Sequence, residues 1–388
     1  MQRTSSWWLF WGAVGTVLYT YVGFPILLVL RGLLLRRDIQ RGTDLPNVSL
    51  IVVAFNEADY IVKKLDNAHA VDYPCEKLEI IVASDGSSDG MNELVEGYDS
   101  PQVRLLALPR RGKNPTLNAA VAAANGDVLV FTDADSMLGR DSLRHLVAPL
   151  SDPSVGGVAG DYHYESNSAE GGGERTYWSF DRLLKEMESR AGSVISATGQ
   201  LYAIRREIFK TVPSGVTDDF YTSVRVIGAN KRLVFEPKAV VTGPVAASDD
   251  AEFQRKVRIL TRGFNSVWES RHLLNPLHYG FYAVQLLSHK VLRRLMALPL
   301  VVTFLTAPLL WRRGWIYKLA TLGQLGIHGL ALVGYLLRGT TLGRKKLLSV
   351  PFFFDMVNLA AVIALGNRLR GKRQDIWVTQ RAPEVPTR

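Results

Sequence analysis

Asp133 and Asp135 stand one residue apart at the end of a short apolar run, Val128–Thr132. Two carboxylates at that spacing can share a hard divalent cation such as Mg2+, which also holds substrate phosphates. The run reads as a buried strand, and successive side chains of a strand point to opposite faces. Aiming both acids at one point therefore requires the chain to turn at Asp133-Ala-Asp135. Other residues suited to chemistry are spread along the chain. Asn56-Glu57 and Asp85-Gly-Ser-Ser-Asp89 each follow an apolar run. Lys113 precedes Pro115, a residue that fits the first turn of a helix, and a lysine beside a helix N-terminus suits an anionic phosphate. Asp218 and Asp219 follow Thr217, which is placed to cap a helix, with the acids in its first turn. Arg255, Arg258 and Arg262 recur at helical spacing on one face, fit either for a diphosphate or for anionic head groups at a membrane surface.

The elements that must position these residues alternate. Val48–Val53, Glu79–Ala83, Val103–Ala107 and Asp127–Phe131 read as strands. Asp59–Ala68, Gly90–Glu96 and Thr116–Ala124 read as the helices between them, and Leu201–Ile204 as a further strand. Such alternation predicts an α/β domain with a mostly parallel sheet covered on both faces. Sites in that class form at the carboxyl ends of the strands, where Asn56, Asp85 and Asp133 fall.

Charge places the domain in the chain. The formal net charge is +10 over 388 residues. Residues 44–245 hold 20 Lys+Arg against 28 Asp+Glu, a balance of −8, and the remainder holds 26 against 8, a balance of +18. The basic excess thus flanks long apolar runs, as in a membrane protein with cytoplasmic basic loops, and excludes a nucleic-acid-binding domain. Trp7–Leu30 carries no charge and is long enough to span a bilayer. Arg31, Arg36, Arg37 and Arg41 follow it and place the next domain in the cytoplasm. Leu295–Trp311, Leu319–Leu337 and Leu347–Gly366 are further apolar runs. The last contains Asp355, an acid that is costly within a membrane. Leu277–Leu292 reads as an interfacial helix. The expected organisation is a transmembrane anchor over 1–43, a cytoplasmic catalytic domain over 44–245, interfacial helices over 246–294 and a membrane region with a basic tail over 295–388. The single Cys75 excludes an internal disulfide framework.

Taken in order, these motifs resemble the family-2 glycosyltransferases, specifically the membrane-embedded branch with the hyaluronan, cellulose and poly-N-acetylglucosamine synthases. The resemblance covers roughly residues 46–295. It rests on the Val48–Glu57 opening, Asp85 within Ser-Asp-Gly-Ser-Ser-Asp, Gly112-Lys113 with Leu117-Asn118, Thr132-Asp-Ala-Asp135, and Thr217-Asp-Asp-Phe-Tyr-Thr222. It implies a GT-A-type domain and an inverting displacement on a nucleotide-activated sugar, a UDP-sugar by family preference. Asp219 would be the general base, and Asp133 and Asp135 would hold Mg2+ or Mn2+. Asn56, Glu57, Asp85, Lys113, Asp133 and Arg258 would contact the nucleotide-sugar. Thr198, Gly199, Gln200 and Asp218 would border a carbohydrate or lipid-linked acceptor. The expected location is the cytoplasmic (plasma) membrane.

One departure bears on the product. Processive members carry Gln-x-x-Arg-Trp, where this chain has Arg255-Lys-Val-Arg258-Ile259. The arginine is kept, but Ile259 has no flat face for a sugar. Growth of a polysaccharide therefore stands beside transfer of a single sugar to a lipid or polyprenyl phosphate. A non-catalytic nucleotide-sugar sensor, a nucleotidyltransferase and a polymer exporter are the other readings. Export through so few C-terminal segments would require homo-oligomerisation. A dinucleotide-binding enzyme is disfavoured because the first strand ends in Ala-Phe-Asn-Glu, without Gly-x-Gly-x-x-Gly.

Overall fold

In the computed structural model, residues 2–164, 172–244 and 249–372 are described. The expected boundary at 245/246 and most of the basic tail lie outside them. The chain divides into two compact units, one of Leu28–Ala247, Asn265–Val284 and Arg373–Arg388, the other of Met1–Leu27, Ser248–Phe264 and Gln285–Lys372.

The first unit is built on one sheet. Its strands are β1 (Val48–Ala54), β2 (Leu78–Asp85), β3 (Val103–Leu108), β4 (Val128–Thr132), β5 (Met137–Leu138), β6 (Val155–Tyr164), β7 (Tyr202–Arg205) and β8 (Arg232–Gly243). Their order is β3-β2-β1-β4-β7-β6-β8-β5. The β3-β2-β1-β4 half is parallel throughout, so β1 to β4 all end on one edge. All seven residues of β1 are buried, which requires cover on both faces and explains a run that is apolar except at Ser49 in place of an alternating one. The even-numbered residues Leu50, Val52 and Ala54 join Ile61, Leu65 and Ala68 of the helix Ala58–His69 in the main core. β7 reverses direction against β4, while β6 runs antiparallel to β7 and parallel to β8. The sheet is thus mixed but mostly parallel, a GT-A-like core.

Three helices differ from expectation. The helix expected from Thr116 begins at Lys113, because Gly112 (φ 98°) turns the chain sharply there. Lys113 is therefore the first helical residue and does not precede the helix. Thr217 does occupy the N-cap of the helix Asp218–Gly228, yet its side chain makes no capping bond. The expected interfacial helix Leu277–Leu292 is broken after Tyr279 by Gly280, whose φ of 53° suits glycine.

In the second unit, Phe10, Ala307, Leu310 and Tyr317 form a small core, and Trp11 Nε1 donates to Tyr317 Oη at 3.1 Å. Among the described residues three helices are long and apolar enough to cross a membrane: Ser5–Leu34, Trp315–Leu336 and Lys346–Leu369. A fourth candidate is the pair Phe281–Leu292 and Ala297–Leu309, bent by 61°. Asp355, the costly acid, lies 2.9 Å from His328 Nδ1 on the neighbouring helix, and pairing of this kind is how such a group is tolerated in a membrane.

Candidate active site

The loops leaving β1 to β4 carry the predicted residues to one edge of the sheet. After β1 the backbone takes φ 54° at Asn56, which asparagine tolerates better than most residues. Asn56 Oδ1 then accepts from Ser88 N at 2.9 Å, and Ala58 N donates to Asp89 Oδ2 at 2.8 Å. The loops after β1 and β2 are thereby fastened together. Glu57 is buried at the start of the following helix.

Asp85, the last residue of β2, is fully buried. Its Oδ1 accepts from Arg111 N (2.8 Å), Gly112 N (3.0 Å) and Thr116 Oγ1 (3.1 Å), and its Oδ2 also pairs with the Arg110 guanidinium. The carboxylate is thus the anchor of the loop after β3 and of the helix N-terminus beyond it. Arg110 lies over the Phe55 ring, 3.3 Å from its centroid. A Cβ at Gly86 (φ 72°) would come within 2.7 Å of Arg110 N, so only glycine permits this approach.

The turn expected after β4 is present. Ser136 N donates to Asp133 O at 3.2 Å, and Ser136 Oγ to Asp135 Oδ1 at 3.3 Å. Lys113 Nζ lies 3.1 Å from Asp133 Oδ1 and 3.1 Å from Asp218 Oδ2. Burial lowers the lysine's pKa, but Asp133 and Asp218 outweigh that and raise it above its ordinary value, so it stays charged. Asp133 is raised, by burial first and by Asp135 and Asp218 next, against the opposing pull of Lys113.

Asparagines on the Lys113–Ala123 helix set where Asp218 and Asp219 fall. Asn114 Nδ2 donates to Pro213 O (2.8 Å) and Val216 O (3.0 Å), while Asn118 exchanges two bonds of 2.9 Å with Val212. Thr217 N donates to Ser266 Oγ at 2.8 Å. Asp218 is buried in its pair with Lys113 and so is more than a first-turn helix acid. Asp219 is half-buried, and its Oδ1 accepts from Phe220 N at 2.7 Å.

Thr198-Gly199-Gln200 arrives from the loop before β7, held where Ala197 N donates to Ser223 Oγ on the acid-bearing helix at 3.1 Å. A Cβ at Gly199 would lie 3.8 Å from Asp133 Oδ2 and 3.8 Å from Asp219 Oδ2. Gly199 therefore sits between the metal-type acid and the base-type acid. Beneath them Tyr202 is buried and stacked on Phe131 at 4.7 Å. Burial, then Asp218, Asp219 and Asp133, hold its phenol well above the usual value and keep it neutral.

Arg258 lies on the helix Asp249–Glu269, in the part that belongs to the second unit. Burial and the like charges of Arg262 and Arg255 lower its pKa. Sequence reasoning missed Tyr202, Arg110 and Lys64. Lys64 was legible in principle, since it falls on the Ile61–Leu65–Ala68 stripe of its helix.

A mixed, mostly parallel sheet carries paired acids after a central strand, a lysine between acids and a second acidic pair at a helix start, on a GT-A-like core. Residues 49–212 match the family model for glycosyl transferase family 2. It is 27% identical over 253 residues to the poly-beta-1,6-N-acetyl-D-glucosamine synthase of Staphylococcus aureus (strain MSSA476), covering 61% of this chain and 60% of that one. It is 29% identical over 213 residues to the probable glycosyltransferase YdaM of Bacillus subtilis (strain 168), covering 51% and 50%. The chain thus matches about half to three-fifths of the length of these relatives. The fold is similar to that of the mannosyltransferase PcManGT from Pyrobaculum calidifontis, solved with GDP-Man and Mn2+. The TM-score is 0.69 at 24% identity over 94% of this chain and all of that one.

Proposed function

We propose that this chain is a membrane-anchored, inverting, metal-dependent glycosyltransferase that moves a sugar from a nucleotide donor to a growing polysaccharide. The observation that carries the reading is the convergence of Lys113, Asp133, Asp218 and Asp219 about Gly199. Asp219 takes the proton from the acceptor hydroxyl as it attacks the anomeric carbon. Lys113 faces the charge that develops on the departing diphosphate and stabilises it. Asp133 and Asp135 would hold Mg2+ or Mn2+. Among the described residues no group of three or more His, Cys, Asp or Glu forms a metal cage. A two-carboxylate site completed by substrate phosphates and water suits these ions, which supply Lewis-acid stabilisation of the leaving group when bound. Asn56, Glu57 and the Asp85–Arg110 pair border the nucleoside side. Thr198, Gly199, Gln200 and Asp218 border the acceptor. Arg258 is assigned to the diphosphate by the motif resemblance alone. The apolar helices anchor the chain in the cytoplasmic membrane with the sheet domain in the cytoplasm.

A second reading is transfer of one sugar to a lipid acceptor. It is favoured by Ile259, which is exposed and stands where the processive motif has an aromatic residue. One experiment separates the two. Purified protein in detergent is screened for nucleoside diphosphate release with UDP-sugars and GDP-mannose, with Mn2+ or Mg2+, and labelled product is sized. A high-molecular-weight product supports the polysaccharide reading, and a small organic-extractable product supports the lipid acceptor. Release that is unchanged in EDTA would overturn the metal-dependent mechanism.

A further inference from the structure

A lysine lies buried beneath the metal-type turn. Lys64 is inaccessible to solvent, on the stripe of the helix Ala58–His69 that packs into the core. Burying an ammonium is costly unless it is well bonded, so the partners it receives are informative. Its Nζ donates to Thr132 Oγ1 at 3.0 Å and makes a second, short bond to the Ser136 carbonyl. Thr132 is the last residue before Asp133-Ala-Asp135, and Ser136 is the first after it. Three residues along the same helix, Asn67 Nδ2 donates to Leu138 O at 2.9 Å, and Leu138 N returns a bond to Asn67 Oδ1 at 2.7 Å. Ala58 N, in that helix's first turn, is bonded to Asp89 in the loop after β2.

We infer that Lys64 is a positioning residue for metal binding: it ties together the two stems of the Asp133–Asp135 turn so that both carboxylates face one cation. The inference rests on reading those two acids as the metal ligands. One rigid helix then references both the nucleoside-side loop and the metal turn, so donor and cation are held in a common frame.

Lys64 reaches the turn through Thr132 Oγ1 and the Ser136 carbonyl, and its side chain has N–H groups for both acceptors whether it is charged or neutral. Replacing it releases the turn, and weaker metal binding follows.

The test uses the full chain in detergent. Mn2+ binding is titrated by electron paramagnetic resonance in the presence of UDP, and in parallel GDP. Nucleotide binding is measured separately in EDTA. Lys64→Met is expected to weaken Mn2+ binding by about 10–100-fold, the usual scale for residues that orient metal ligands. Metal-free nucleotide binding should stay within about threefold. Thr132→Val, which removes one of the two bonds, should give an intermediate loss, and Thr132→Ser should restore it; this pair serves if Lys64→Met does not fold. Wild-type Mn2+ affinity in folded Lys64→Met overturns the proposal. So does equal loss of Mn2+ and metal-free nucleotide binding, which would mark a general structural role. A wild-type protein that binds nucleotide but no Mn2+ would instead overturn the metal reading beneath it.

Discussion

Gly199→Ala is the sharpest test of the site, because one methyl group separates packing from chemistry. The new Cβ would lie 3.8 Å from Asp133 Oδ2, Asp219 Cβ and Asp219 Oδ2. These are ordinary van der Waals distances, and Gly199 does not adopt the left-handed backbone that would penalise alanine. Stability should therefore change little, within the roughly 0.5 kcal/mol typical of substitutions that meet no obstacle. The methyl does, however, occupy the space between Asp133 and Asp219, where the anomeric carbon and the attacking hydroxyl would meet in the proposed mechanism. Displacing reacting atoms by about 1 Å costs on the order of 100-fold, or about 2.7 kcal/mol of transition-state stabilisation at 1.36 kcal/mol per decade. Nucleoside diphosphate release gives kcat/KM, and thermal unfolding in the same detergent gives stability. The expected result is about a 100-fold fall in kcat/KM with a melting temperature within a degree or two. Activity within threefold of wild type would refute the placement of the reacting centre at Gly199.

The remaining predictions use other parts of the site. Asp219→Asn should abolish transfer while nucleotide binding, measured by calorimetry, is retained; residual turnover at wild-type rate would remove Asp219 from the base role. Asp85→Ala leaves the Arg110 guanidinium and the Arg111 and Gly112 amides without their shared acceptor. Loss of one partner of a buried pair costs about 3–5 kcal/mol, so the melting temperature should drop by about 10 °C or more in a domain of this size. An unchanged melt would mean the loop is held by other contacts. Lys64 titrates near 7 when folded, against an ordinary value of 10.5. Between those values the unfolded chain binds the extra proton, so this group's contribution to stability rises with pH by about 1.4 kcal/mol per unit from pH 7 toward 10.5. The difference in melting between wild type and Lys64→Met should carry that slope; a flat difference would place the lysine's folded value near normal.

Much of this protein was legible in its residues. Strands β1 and β4 announce themselves as mostly apolar runs because strands buried on both faces need no polar alternation, and the candidate residues Asn56, Asp85 and Asp133 fall at or just past the ends of β1, β2 and β4. Asp133 and Asp135 were visible because a turn after a parallel strand is where such folds place ligands. The apolar runs were visible because bilayer thickness fixes a minimum length; three of the four correspond to long helices, while Leu295–Trp311 holds the 13-residue helix Ala297–Leu309, half of a bent pair.

What the sequence could not decide were the partnerships between distant positions. Asp85 could be a loop acid or a ligand; only the fold brings Arg110, Arg111, Gly112 and Thr116 onto it. Lys113 read as a lysine aimed at phosphate, and tertiary structure set it between Asp133 and Asp218, residues 20 and 105 positions away. Lys64 falls on the apolar stripe of its helix, but only the docked helix shows that the bonds permitting its burial come from Thr132 and Ser136. Local pattern determines which elements form, since periodicity and turn chemistry act over a few residues. The charges and hydrogen bonds that give each polar group its role act through space, and only the folded chain determines which groups meet.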